Sequence, residues 1–442
     1  MRRMASVFVV ACCLAMACAC ATADETAPTT PTVGAAGRGI ADFPELSAEK
    51  DWPWWRGPTR NGIAAAGGTP VRWSPTENIA WQTPVPGRGH SSPIVVGDRI
   101  YLTTADETQQ TQVVLAFDRR TGESVWSHEV NHGALAARIH RNNTHATPTI
   151  ACDGQRLFVV FVYGQGVHAT ALDLAGRKLW QEKVGQFDPQ RYEYGYGPSP
   201  VLYRGTVIVA AESDDASFMV ALDRRTGREV WRVPRPMNIS YSTPSIAHVA
   251  GRDQLFMSGA DRVMSYDPNS GRELWSTPAT TAATCGTAVW DADLVFASGG
   301  YPKSETAAIR ADGSGQVVWK NAQKCYEQSL LAFQGHVYGL TDGGILYCWG
   351  AKDGQEKWRQ RLQGPVSASP VLAGGHIYWA NERGMMYVFR PNPDVLELVA
   401  ENQLGDSAYA SPAVSQGQIF LRVGASVDGE RRETLYCIGK RP

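Results

Sequence analysis

Ala116-Phe117-Asp118-Arg119-Arg120-Thr121-Gly122, followed by Trp126, returns almost unchanged as Ala221-Leu222-Asp223-Arg224-Arg225-Thr226-Gly227 with Trp231. A shortened copy runs from Ala171-Leu172-Asp173 through Gly176 to Trp180. Weaker ones carry Tyr266-Asp267 with Gly271 and Trp275, Ala308-Ile309 with Gly315 and Trp319, and Cys348-Trp349 with Gly354 and Trp358. Val388-Phe389-Arg390 and Cys437-Ile438-Gly439 keep the register without the markers, which makes eight copies. A period of roughly 40 to 50 residues means stacked units, none of which can bury its apolar face alone.

Two apolar runs precede each copy. The first opens with a small residue and proline at Ser92-Pro93, Thr147-Pro148, Ser199-Pro200, Thr243-Pro244, Ser369-Pro370 and Ser411-Pro412, with Thr287 and Ser329 in the two units that lack the proline. Proline is tolerated at the first residue of a strand, so these pairs mark where the innermost strands begin. The second run follows a turn, as in Val96-Gly97-Asp98-Arg99-Ile100-Tyr101-Leu102, and short runs joined by turn residues are hairpins. The unit is four antiparallel strands with Trp on the outermost.

Eight such sheets set radially form an all-β, eight-bladed propeller, which leaves only short, protected edges. The eighth unit ends at Leu435-Tyr436-Cys437-Ile438 without a tryptophan strand, and Asn78-Ile79-Ala80-Trp81-Gln82 supplies one at the other end of the chain. An N-terminal strand completing the last blade closes the ring.

The start, with Arg2, Arg3, an apolar run from Met4 to Ala17 and Ala21-Thr22-Ala23, reads as a signal peptide over residues 1–23. Cys18 and Cys20 follow small residues at its end, so a lipid anchor is the alternative to ordinary cleavage. Residues 24–50, rich in Thr, Pro, Ala and Gly, read as a flexible linker, and 51–442 as the propeller. No later stretch approaches the ~20 apolar residues of a membrane helix. The expected location is the periplasm or cell envelope. Loss of Arg2 and Arg3 takes the formal charge from −1 to −3 with acids and bases interspersed, so no basic stripe for nucleic acid is present. Five cysteines remain after the leader; Cys285 with Cys325 is the pair to test for a disulfide. A monomer is expected.

The Ala-x-Asp-x-x-Thr-Gly-x-x-x-Trp pattern resembles the docking motif of pyrroloquinoline quinone (PQQ) dehydrogenases and their non-catalytic relatives, in which the tryptophans pack between blades. With Asp51-Trp52-Pro53-Trp54-Trp55-Arg56-Gly57-Pro58, His90-Ser91-Ser92-Pro93 and the ending Leu435-Tyr436-Cys437-Ile438-Gly439, the chain resembles the PQQ-binding-like propeller proteins abundant in planctomycete-type bacteria. The resemblance runs from Trp52 to the end. It implies fold rather than activity. Seven tryptophans fall at the docking position and are read as structural. Trp52, Trp54 and Trp55 lie outside the repeat and are expected to cover blade surface.

The catalytic members of that family use an adjacent cysteine pair beside the quinone, a calcium held by Glu and Asn with a catalytic Asp, and a tryptophan floor. The one adjacent pair here, Cys12-Cys13, lies in the leader, and no Gly-x-Ser-x-Gly, His-Glu-x-x-His or Gly-x-x-x-x-Gly-Lys signature occurs. No catalytic residue and no cofactor are expected; PQQ with calcium is the alternative. His140 and His145 lack a recognised metal-ligand spacing.

A ligand site belongs where the loops leading into the inner strands gather at one mouth of the channel. Those loops carry Arg88 and His90, Arg141 and His145 with Asn143, Arg191, Tyr192, Glu193, Tyr194 and Tyr196, then Asn238 and Tyr241, Tyr326 and Glu327, and Asp406 and Tyr409. Aromatics with convergent polar groups suit a binding mouth, although any water-filled channel entrance is polar. The functional expectation is an exported scaffold, without chemistry of its own, that contacts an envelope protein or saccharide there. A divergent quinone dehydrogenase or other enzyme, and a purely structural envelope component, are the alternatives.

Overall fold

In a computed structural model that describes residues 39–65, 67–136 and 138–440, eight four-stranded antiparallel sheets follow one another along the chain. We number the blades by their inner-to-outer spans: blade 1, 94–132; blade 2, 151–186; blade 3, 201–234; blade 4, 245–278; blade 5, 289–321; blade 6, 331–361; blade 7, 371–403; and blade 8, 413–438. The outer strand of blade 8 is Ile79–Val85, paired antiparallel with Glu430–Ile438. The ring therefore closes with the first strand of the chain hydrogen-bonded to the last. No described helix is long and apolar enough to cross a membrane.

Each docking tryptophan sits on the turn of the following blade. Trp81 of the closing strand donates its indole N–H to Arg119 O of blade 1 (2.9 Å), and Trp126, Trp180, Trp231, Trp319 and Trp358 repeat the bond to Leu174, Arg224, Pro268, Ala351 and Asn392. Trp275 instead donates to Gln254 Oε1 within its own blade. The glycine of the turn lies beneath the ring: at Gly122, φ is +76° and a Cβ would fall 2.5 Å from Trp81. The repeat thus needs glycine for both its backbone and its space.

Blade 7 lacks a docking tryptophan, and Trp73 from the N-terminal segment fills that interface. Trp73 is 4% exposed, belongs to the core between blades 7 and 8, and stacks on Tyr378 at 6.3 Å. In the other blades the same second-strand position meets the docking indole, as with Tyr101 and Trp126 or Phe158 and Trp180.

The innermost strands begin directly after Pro93, Pro200, Pro244, Pro370 and Pro412. Blade 2 departs from the expectation, because its strand begins at Ala151, after Thr149 rather than after Thr147-Pro148. The reason is a hydrogen-bonded girdle at the channel. Ser92 N–H donates to Thr149 Oγ1, Thr149 to Ser199, Ser199 to Thr243, Thr287 to Ser329, Ser329 to Ser369, Ser369 to Ser411, and Ser411 back to Ser92, at 2.8–3.1 Å. Thr149 holds the position equivalent to Ser199 and Thr243; Thr147 is turned aside to Asn143 and Thr144.

Two further expectations change. The expected leader and residues 24–38 lie outside the described residues, while within the rest of the expected linker Phe43 is buried. Phe43 is 1% exposed and meets Trp54 edge-on at 5.5 Å, with the Arg224 guanidinium over its other neighbourhood at 5.2 Å. Apolar burial of a phenyl ring outweighs the entropy of so short a tether. Cys285 and Cys325 are both free thiols. Cys325 is buried in the apolar core between blades 5 and 6, whereas Cys285 faces the channel, so the two are on different sides of the wall.

Candidate functional site

Residues 50–64 run across the channel at the end away from the mouth loops and bind the inner strand of one blade after another. Ser415 of blade 8 donates to Lys50 O. Trp52 exchanges two backbone hydrogen bonds with Val95, and Cys152 N–H donates to Pro53 O. The Arg56 guanidinium, buried, donates to Pro370 O (2.5 Å), Leu330 O (3.0 Å) and Asn61 O (3.1 Å). Asn61 reaches Trp290 O, and Ala64 and Gly62 pair with Leu372. Trp54, Trp55 and Arg60 share a narrow crevice with Pro200 and Pro244 of blades 3 and 4. The segment is a plug, and it turns the channel into a cup with one mouth.

Trp52 and Trp54 are buried, as expected of surface covers, whereas Trp55 is half-exposed at the floor of the cup. Its indole N–H is tied to Thr287 Oγ1 at 2.8 Å, which fixes the ring. The cup above has a volume of about 640 Å³ and is walled by the girdle and the mouth loops.

Of the mouth residues read from the sequence, His90, Arg191, Tyr192, Tyr194, Tyr241, Tyr326, Glu327 and Tyr409 line this cup. The stretch 191–196 divides its side chains between two cavities, and the positive φ of Gly195 (+89°) breaks any simple alternation before Tyr196. Tyr192 and Tyr194 stack at 6.1 Å on the cup side, while Glu193 and Tyr196 face a second cavity of about 510 Å³ that also receives His145. Tyr196 is a core residue, 6% exposed, with its hydroxyl donated to Ala210 O. Arg88 and Arg141 meet at the rim, where the Arg88 guanidinium donates to Arg141 O. Asp406 accepts Ser426 N–H from the second strand of blade 8. The structure thus separates Arg88, Arg141, His145, Glu193, Tyr196 and Asp406 from the cup. His140 and His145 face different cavities.

Sequence reasoning passed over Trp55, Tyr301, Cys285 and Ser367, all of which line the cup. Tyr301 lies on the hairpin joining the second and third strands of blade 5, which returns to the same mouth as the inner-strand loops. Its hydroxyl is 3.1 Å from that of Tyr192. The signal was available, since every second hairpin of an antiparallel blade ends at the same side.

On the opposite wall, Ser367 Oγ contacts both Glu327 Oε2 and Glu382 Oε1 (2.6 Å to the latter). A hydroxyl donates one proton, so the second contact requires a proton on a carboxyl. Burial and the neighbouring carboxylates Glu382 and Asp342 raise the Glu327 pKa above its ordinary value, while the Ser367 hydrogen bond opposes them. Tyr409 reaches Glu382 (3.3 Å) and stacks flat on His90 at 4.3 Å.

Burial, with Arg88, Arg422 and Arg431 nearby, holds His90 well below its ordinary pKa of 6.5. A depressed folded-state pKa gives stability that is full above the unfolded value and is lost as pH falls toward the folded one. Acidification below pH 6.5 should therefore weaken the fold. Urea midpoints at pH 7.5 and 5.5 should fall less in His90→Gln than in the unchanged chain; an equal fall would assign the loss to the half-buried histidines His128, His145 and His168, whose pKa values desolvation also lowers.

The side chains can be set against the quinone chemistry that the repeat suggests. Trp55 matches a tryptophan floor. The charged lining is otherwise Arg191 and Glu327, a poor counter-charge for an anionic quinone, and Cys285 has Thr284 and Gly286 as neighbours rather than a second cysteine. Among the described residues no three His, Cys, Asp or Glu side chains converge to hold a metal. The cup thus supplies a tryptophan floor but neither an adjacent cysteine pair nor more than one guanidinium to face a quinone.

A family model described as outer membrane protein assembly factor BamB matches residues 60–195, 195–332 and 302–391. The outer membrane protein assembly factor BamB of Burkholderia pseudomallei is 24% identical over 339 residues, covering 69% of this chain and 85% of the relative. Polyvinylalcohol dehydrogenase of a Pseudomonas species is 23% identical over 281 residues, 53% of this chain and 42% of that one. Among solved structures, a europium-containing methanol dehydrogenase superposes with a TM-score of 0.65 at 12% identity, covering 90% of this chain and 99% of the other. At that identity the likeness speaks for the fold alone.

Proposed function

Because the chain belongs to the family described as outer membrane protein assembly factor BamB, we propose that it is an exported, non-catalytic propeller scaffold that holds an envelope protein or saccharide at the mouth of its floored channel. The observation that carries this reading is the preformed cup: a fixed indole at the floor, stacked phenols on one wall and a bridged carboxyl pair on the other. Rigid aromatic area with a few oriented polar groups is what a binding pocket needs, and it costs little ordering on association. Export is supported by the leader-like residues 1–23 and by the envelope location in the name of the B. pseudomallei relative.

The test is complementation of a deletion strain under envelope stress with Tyr192→Ala/Tyr194→Ala/Tyr301→Ala. These residues are half-exposed or exposed, so folding should survive. The triple variant is expected to behave as the deletion, whereas Val125→Ser/Leu179→Ser on the outer rim should complement. Full complementation by the triple variant would favour a purely structural component. A divergent quinone dehydrogenase is the second reading, favoured by the Trp55 floor and by the dehydrogenase relatives.

A further inference from the structure

Resting on that scaffold reading, we infer that the cup takes a neutral saccharide, inserted end-on through the mouth with its rings against Trp55, Tyr192 and Tyr194. Sugars present apolar C–H faces flanked by hydroxyls that both donate and accept, so their sites pair aromatic faces with uncharged groups of mixed hydrogen-bonding character. The cup has both. Its aromatic wall is continuous: Tyr194 stacks with Tyr192 and meets Tyr241 edge-on at 6.1 Å, and Tyr192 meets Tyr301 at 5.9 Å.

The polar groups are set between and below these rings. Thr149, Ser199 and Thr243 accept a backbone N–H from the neighbouring blade through Oγ, which leaves each hydroxyl proton to donate. Asn142 and Asn238 line the same cup half-exposed. Glu327 and Glu382 are joined through the Ser367 hydroxyl, which reaches both and can donate to only one at a time. Arg191 is drawn over the Tyr192 ring at 5.5 Å, and no lysine lines the cup. A polyanion would find one guanidinium, and a cation one shared carboxyl pair, so the chemistry of the lining selects an uncharged polyol. The single mouth admits a chain end, and a volume of about 640 Å³ lies in the range that encloses a compact ligand.

Calorimetric titration of the full-length chain with cellotetraose, maltotetraose and chitotetraose tests this, with choline and inorganic phosphate as charged controls. At least one tetrasaccharide should bind, Tyr194→Ala and Tyr301→Ala should each weaken it about tenfold or more, and Val230→Ser on the outer rim should leave it unchanged. Silence with all three sugars up to solubility, or binding of choline in their place, overturns the ligand class and leaves the scaffold reading to its own test. Recovery of the bound sugar intact supports both; its recovery as shorter fragments keeps the ligand class and overturns the non-catalytic reading.

Discussion

Replacing Trp231 by alanine is expected to destabilise the propeller by about 3–5 kcal/mol, the usual result of deleting a buried aromatic where the surroundings relax only in part. Trp231 is 8% exposed, sits in the core between blades 3 and 4 with Met264 and Tyr266, and donates its indole N–H to Pro268 O at 3.3 Å. Blade 4 has no covalent reason to stay beside blade 3 beyond a short linker, so the ring depends on each such contact. The reciprocal change is as informative. At Gly271, with φ of +71°, a Cβ would fall 2.7 Å from the Trp231 ring, so Gly271→Val adds backbone strain to a clash. The two variants act on one contact, and the double variant should cost less than the sum of the singles. Urea denaturation of all three measures this; strict additivity would mean that the indole and the turn are energetically independent.

Arg56→Met should lower stability by about 3 kcal/mol and loosen the plug before it unfolds the blades. One buried guanidinium holds three carbonyls, those of Pro370, Leu330 and Asn61. Burial without a facing carboxylate pulls its pKa down to about 9. Methionine removes the cost of burying that charge but leaves three acceptors unpaired, at about 1–3 kcal/mol each. The net is a loss, smaller than the sum. Limited proteolysis should then cut within residues 50–65 while blade cores remain protected. Resistance equal to the unchanged chain would show that the other plug contacts suffice without Arg56.

The blades were legible in the sequence because their markers are forced by local physics. Gly122 must turn with positive φ under an indole, and proline is tolerated where an inner strand opens. Closure was legible from Trp81, a docking residue found at the wrong end of the chain. The start of the inner strand was misplaced in blade 2 because Thr147-Pro148 carries the proline while Thr149 carries the contact. Trp73 could not be read as the substitute for the missing tryptophan of blade 7, since it reaches Tyr378 from more than 300 positions away and no periodicity encodes that contact.

The site was half legible for a similar reason. Loops that enter inner strands can be found by counting, and they supplied the tyrosines at 192, 194, 241, 326 and 409. Which side of a loop each residue faces depends on its local backbone path, here bent at Gly195, so Glu193 and Tyr196 were grouped with Tyr192 and Tyr194 although they point to another cavity. The floor was the least legible part. Trp55 becomes a floor only because its neighbours bind inner strands around the ring, and those partners lie 308 positions away for Ala64 and Leu372 and 365 for Lys50 and Ser415.

The central claim is that the cup binds without quinone chemistry. Calorimetric titration of the purified mature protein, from Asp24 onward, with pyrroloquinoline quinone in the presence and absence of calcium tests it most directly. The account predicts no saturable heat in either condition. Tight, calcium-dependent binding near one equivalent would contradict it and make the chain a quinone enzyme with Trp55 beneath its cofactor.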